Sequence, residues 1–352
     1  MANQEELVEL LETFCLPLGL PGREKEIRRA LSEWLEGKVR RLEEDRMGNL
    51  QAWLGPEGAP RVMLDAHMDE TGFLVKHIRP DGLLHITPLG GVDHRLVPGS
   101  AVLLQPRPGR RLRGVVGLTP PHVEEKAQGD KPVPWDKLLV DLGLDGEQDA
   151  ARMGVEVGTP GVLDAGLGRL GQDAFRARNL DDRAGCVVLL ALIQELAEGE
   201  LAVELVFNFA VAEEVGLRGA ATAAFDLKPR LALVVEATVG DTPGLDPARQ
   251  PSRLGRGPAV TVADNRIVVP RRLVHSLEEA AQRAGVPCQR KLPGTGGTDA
   301  WAIHLSRGGV PTCIVSVPTR YLHSPVSLLR LPDLAHTVDL VRAWLEGVEE
   351  LL

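Results

Sequence analysis

The sequence predicts an α/β protein, a three-layer and mostly parallel sheet with helices on both faces, interrupted by a small all-β, barrel-like insertion. Three features point there. Near-continuous apolar runs, LAVELVFNFAV (201–211), LALVVEA (231–237) and PTCIVSV (311–317), have the pattern of strands covered on both sides. They alternate with stretches whose apolar residues recur at helical spacing, 181–198, 270–284 and 331–352. From about residue 70 to 165 the helical spacing disappears, and short alternating runs broken by Gly and Pro take its place.

In chain order, residues 5–15 and 23–37 predict two amphipathic helices. RLEEDRMGNLQAWLG (41–55) predicts a hairpin turning near Met47 to Asn49, and RVMLDAH (61–67) a short strand ending in polar residues. GFLVKHI, AVLLQP and RGVVGL are the strand-like runs of the insertion. The expected division is therefore 1–69 with 166–352 as the α/β part and 70–165 as the β part, in line with a length that suits about two domains.

Composition removes several classes of function. A formal charge of -9 argues against nucleic acid, whose binding needs clustered Lys and Arg; RPGRRLRG (107–114) is the one basic patch and fits a solvated hairpin. The longest apolar run, Cys186 to Ile193, falls far short of the roughly 20 residues that cross a bilayer, so no membrane span is expected. MANQEELVELLETF is acidic and helical in pattern where a secretory leader needs a basic start and an apolar stretch, which predicts a cytoplasmic location. Cys15, Cys186, Cys288 and Cys313 are widely separated and predict reduced thiols.

Open α/β sheets bind ligands beyond the carboxyl ends of their strands. Acids and histidines collect there: His67 and Asp69 after RVMLDAH, Glu213 and Glu214 after NFAVA, Glu236 at the end of LALVVEA, and His323 beyond PTCIVSV. Asp181 and Asp182 open a helix, where the dipole favours negative charge. Each has an ordinary explanation alone, such as a helix cap or an arginine partner. Together they would repel one another unless a cation sat among them. Nitrogen and oxygen donors without thiolate suit Zn, Co or Mn, and the excess of carboxylates suits two ions sharing one of them. Adjacent residues leaving a strand diverge, so one of Glu213 and Glu214 can hold metal while the other takes a proton from water.

LDAHMDETGFLV, NLDDRAG, AEEVGLRGA, GDTPG and GTGGTDAWAIHLSRGGVPTCIVSVPTRYLHSP, with GGVDH and PPHVEEK inside the insertion, resemble the tetrahedral (TET) aminopeptidases. These are glutamyl and leucyl aminopeptidase-like metallopeptidases often labelled cellulase or endoglucanase. The resemblance implies a zinc-peptidase-like fold and two divalent ions, zinc or cobalt. His67 and Glu236 would hold one ion and Glu214 and His323 the other, with Asp181 bridging. Glu213 would be the general base and Asp69 the support of His67. It also implies a cis peptide after Asp181, an insertion used for dimerisation, and dimers assembling into a hollow tetrahedral dodecamer that trims peptides from the amino end. Glu236 departs from the pattern, which has aspartate there; Asp241 lies beyond the strand end and is a poorer substitute.

Two other hydrolases share some of these features. A deacylase or carboxypeptidase on the same fold would differ in accepting a blocked amino terminus. A glycosidase would need carboxyls facing each other at about 5–10 Å, which neighbouring residues on one strand end do not offer. Serine-hydrolase elbows and phosphate loops are absent from the sequence, and GTGGTDA (294–300) lacks the context of a dinucleotide site. It reads as a tight loop near the site or a plain turn, and Arg320 as a partner of an active-site acid or of substrate.

Overall fold

The computed structural model describes residues 2–118, 132–291, 294 and 296–352; the PPHVEEK stretch (120–126) and Thr295 of GTGGTDA lie outside them. In chain order the strands are β1 (Arg41–Glu44), β2 (Leu50–Leu54), β3 (Arg61–His67), β4 (Gly72–Ile78), β5 (Leu84–Leu89), β6 (Ala101–Arg107), β7 (Arg110–Val116), β8 (Leu139–Asp141), β9 (Pro160–Leu163), β10 (Gly168–Leu170), β11 (Ala174–Ala177), β12 (Glu204–Ala210), β13 (Leu231–Val239), β14 (Ala259–Thr261), β15 (Gln289–Lys291), β16 (Thr312–Arg320) and β17 (Ser327–Arg330). The α-helices are α1 (Gln4–Phe14), α2 (Lys25–Leu35), α3 (Glu147–Met153), α4 (Leu180–Leu196), α5 (Arg218–Leu227), α6 (Arg271–Ala284), α7 (Ala300–His304) and α8 (Leu331–Leu345).

Local chemistry explains the helix ends. Asn3 caps α1 by accepting from Glu5 N–H, and Leu7, Val8, Leu11 and Phe14 bury one face. Helix α6 buries Leu273, Val274 and Leu277 and stops at Gly285, whose φ of 65° is the left-handed turn glycine takes without strain. The last helix, expected to run to residue 352, stops at Leu345 and continues past Gly347 only as a 3-10 turn. Helix α3, inside the insertion, was not visible as helical spacing: it is under two full turns and buries only Ala150.

One sheet contains eleven strands among the described residues, ordered β1-β2-β12-β3-β13-β16-β17-β11-β10, with β14 attached to β16 and β15 to β14. Its pairing is mixed, which corrects the expectation of a mostly parallel sheet. The four central strands β12, β3, β13 and β16 are parallel, as is the β14–β15 pair, while the flanking pairs are antiparallel. Tight turns join β1 to β2 and β10 to β11, and a short turn can only reverse a strand; the central strands are joined by long crossovers. All of β2 and β12 is buried, and Phe207 and Phe209 of β12 belong to the main core with Leu189 and Leu190 of α4 and Leu64 of β3.

Strands β4, β5, β8, β7, β6 and β9 close into a six-stranded antiparallel barrel with its own core, including Phe73, Val75, Leu84, Ile86 and Val140. No helix among the described residues is long and apolar enough to cross a membrane. Cys15, Cys186 and Cys313 are buried, Cys288 is half-buried, and all are free thiols; burial pushes the Cys15 thiol up to about 12.

Candidate metal centre

The carboxyl ends of β3, β12 and β16, the middle of β13 and the start of α4 converge on one cavity of about 560 Å³. Its lining includes His67, Asp181, Glu213, Glu214, Glu236 and His323. Asp181 sits between the histidines: one carboxylate oxygen lies 3.2 Å from His67 Nε2 and the other 3.3 Å from His323 Nε2. Glu236 Oε1 is 3.5 Å and Glu213 Oε2 3.9 Å from His67 Nε2, and Glu214 Oε1 is 3.4 Å from His323 Nε2. Three groups bring ligand atoms within 4.8 Å of one another: His67, Asp182 and Glu236; His67, Glu213 and Glu214; Asp181, Glu214 and His323.

Backbone geometry places these side chains. After β12, Ala212 takes a left-handed conformation, and the next two N–H groups, of Glu213 and Glu214, donate to the two oxygens of buried Asp69 at 3.0 and 3.2 Å. Asp69 Oδ1 is also 3.5 Å from His67 Nδ1. Through its two backbone bonds Asp69 ties the β3 end to the β12 end. His323, also left-handed, has Nδ1 3.0 Å from the carbonyl of Gly91, so that nitrogen carries the proton and donates, leaving Nε2 facing Asp181 and Glu214.

Glu236 is not at the end of its strand, as the apolar run predicted. β13 continues through Val239, because Thr238 and Val239 keep their register with Pro318 and Thr319 of β16. The side chain folds back so that Oε1 accepts from Ala237 N–H at 3.1 Å, which takes up the extra methylene relative to aspartate and keeps the oxygen beside His67.

The two adjacent aspartates have separate roles. Both are non-helical, and the peptide joining them is cis. Asp182 Oδ1 accepts from Gly185 N–H at 3.0 Å, an N-cap bond, whereas Asp181 points between the histidines. Asp182 Oδ2 is buried without a hydrogen-bond partner among the described residues, and so is Glu214 Oε1. The first sits in the His67–Glu236 group, a candidate ligand that the pattern of strand ends did not single out.

The electrostatics are those of a crowded, desolvated acid cluster. Burial pushes the Glu214 carboxyl up to about 8, and the charge of Asp181 adds to this. Burial likewise raises Glu236 to about 7 against the pull of His67, and raises Glu213 well above the carboxylate range. The Asp181 carboxylate bonded to it holds His323 up to about 10. His67 is raised too: its burial opposes the charge, but the carboxylates of Glu236, Asp181, Asp69 and Glu213 outweigh it. Buried oxygens without partners, an excess of negative charge and hard N/O donors fit divalent cations.

Two expectations fell elsewhere. Arg320 pairs with Asp241, whose side chain also accepts from Leu254 N–H; neither residue lines the cavity, so Asp241 is spent outside the cluster. Gly296 and Gly297 of the glycine-rich loop do line the cavity, as does Lys291, which nothing in the sequence marked out.

A family model described as M42 glutamyl aminopeptidase matches residues 48–340. The chain is 33% identical to the lysyl aminopeptidase of Pyrococcus furiosus over 97% of its own length and 98% of the relative's. Among solved structures it resembles the aminopeptidase APDkam598 of Desulfurococcus kamchatkensis, with a TM-score of 0.92, 32% identity and 98% of each chain covered. It also resembles the TET1 peptidase of Pyrococcus horikoshii, which assembles into a tetrahedron or a large octahedral shell, with a TM-score of 0.86, 33% identity and coverage of 96% of this chain and 98% of that one. The chain belongs to the M42 glutamyl aminopeptidase family and is a metal-dependent aminopeptidase.

Proposed function

We propose that this enzyme removes residues from the free amino end of peptides at a centre of two divalent ions, zinc or cobalt. The observation that carries the reading is Asp181, whose two oxygens face two different histidines 3.2 and 3.3 Å away. His67 and Glu236 would hold one ion, His323 and Glu214 the other, with Asp181 shared. When bound, the ions supply Lewis acidity, drawing charge from the scissile carbonyl oxygen and acidifying the attacking water.

The protein's own groups do the rest. Glu213, 3.9 Å from His67 and raised in proton affinity by burial, takes the proton of the attacking water and delivers it to the departing amine. Asp69 fixes Glu213 and Glu214 through their backbone N–H groups. The carboxylates around the cavity receive the substrate's ammonium, which confines cleavage to the first residue. We read the sheet as the middle of three layers, supported by the burial of every residue of β2 and β12. The barrel would serve dimerisation and the dimers a tetrahedral dodecamer, a reading supported by the assembly of the Pyrococcus horikoshii relative.

Glu213→Gln tests the assignment. Metal content by mass spectrometry should stay unchanged while kcat falls by roughly 10²- to 10⁴-fold. Retained turnover would remove Glu213 from the role of base. A peptide with an acetylated amino end should resist the wild-type enzyme; its cleavage would favour a deacylase.

A further inference from the structure

The loop between α1 and α2, FCLPLGL (14–20), does not line the cavity, yet side chains flanking the candidate ligands close on it from two directions. Asn179, two residues before Asp181, donates from Nδ2 to the Cys15 carbonyl at 3.2 Å. Arg183, two residues after Asp181, donates from Nη1 to the carbonyls of Phe14 and Pro17. Glu70, next to Asp69, accepts from Gly19 N–H at 3.2 Å, and its own N–H donates to the Gly19 carbonyl at 2.9 Å.

Arg183 joins the two ligand-bearing segments directly. Its Nε donates at 2.9 Å to the carbonyl of Met68, the residue between His67 and Asp69. The guanidinium is wholly buried and its charge is met by Glu70, 3.5 Å away, which Arg178 also holds at 2.7 Å. One face of the fork thus serves the end of β3 and the other serves the loop, a division of directions that a lysine ammonium cannot reproduce. The loop is itself fixed from behind, since Leu18 and Leu20 pack with Leu103 and Val162 of the barrel. Contact at Gly19 is close: a Cβ there would come 2.8 Å from Arg183 Nη2 and 2.6 Å from Ile27 Cγ2.

We propose that Arg183 is a positioning residue for metal binding. By tying the Met68 carbonyl and the start of α4 to loop 14–20, it holds His67 Nε2 and Asp181 Oδ1 at their 3.2 Å approach before an ion arrives. Freedom at either donor would have to be given up on binding, so loss of the fork weakens the cation site as well as the fold. This rests on the metal-centre reading above.

The test measures zinc affinity, by competition with a chromophoric chelator, for wild type, R183K, G19A and L277A, each at a temperature where it is fully folded. R183K keeps the charge opposite Glu70 and loses the fork. G19A keeps every donor but presses a methyl group on the guanidinium, and it decides the question if R183K does not fold. Leu277, a buried residue of α6 outside the cavity lining, gives a control that loses stability through a core void. R183K and G19A should bind zinc roughly 10- to 100-fold more weakly than wild type, the usual effect of removing a group that orients a ligand. L277A should lower the urea midpoint and leave zinc affinity unchanged. Wild-type zinc affinity in R183K and G19A, or an equal loss in L277A, would overturn the role of Arg183 alone. A wild type that binds no zinc would overturn the metal-centre reading and this inference with it.

Discussion

Replacing Asp69 by alanine would strand the N–H groups of Glu213 and Glu214 that its two oxygens now accept. Leaving buried donors unpaired costs roughly 1–3 kcal/mol each, so Asp69→Ala should unfold at markedly lower urea and lose activity well beyond what that destabilisation explains. Denaturation curves and kcat on the same preparation check this, and an unaltered kcat would show that the clamp does not order the site. Asp69 was legible as a partner of His67 because the two share one side of a strand. Its grip on Glu213 was not, since 144 residues separate them and only the parallel β3–β12 register makes them neighbours. Lys291 was hidden for the same reason: a lone lysine in KLPG looks like surface until β15 docks on β14.

At the scale of elements, the start of α4 separates capping from metal chemistry. Asp182→Asn keeps an oxygen for Gly185 N–H while removing the charge, so stability should hold within about 1 kcal/mol if the cap is its main task. Metal content of the variant measures the other possibility, and loss of an ion would make Asp182 a ligand. The long apolar runs announced β12, β13 and β16 because strands buried on both faces admit little else. What escaped was whatever depends on partners rather than on its own pattern. The run LALVVEA could not reveal that β13 continues to Val239, since Thr238 and Val239 are held by pairing with β16 and not by apolarity. The flanking antiparallel strands β10, β11 and β17 are three or four residues long, too short for any period to register.

For the whole molecule, the acid cluster links stability to pH and to metal. Burial keeps Glu214 protonated up to about 8 and Glu236 up to about 7, where the unfolded chain gives up those protons near 4.5. Both folded values are raised, so their contribution is present at low pH and the metal-free fold loses it as pH climbs through 7 and 8. His323, raised to about 10, has the same sign: its contribution is full below its ordinary 6.5 and fades as pH rises through 10. Cations compete with these protons, so the Tm gained on adding zinc or cobalt should grow from about pH 5 to about pH 8. Thermal scans with and without metal measure it, and a gain that shrinks over that range would place the ions elsewhere.

The carbonyl of Gly91 belongs to the chain leaving the barrel's second strand, yet it anchors His323, which follows β16 at the centre of the eleven-stranded sheet, and a Cβ on Gly91 would come 2.6 Å from that imidazole. The insertion is thus not a detachable module. Anyone trimming this enzyme to a minimal catalyst, or grafting the insert of a relative onto it, would have to carry residues 90–93 along intact, since the graft junction runs through the seat of an imidazole and not through a linker.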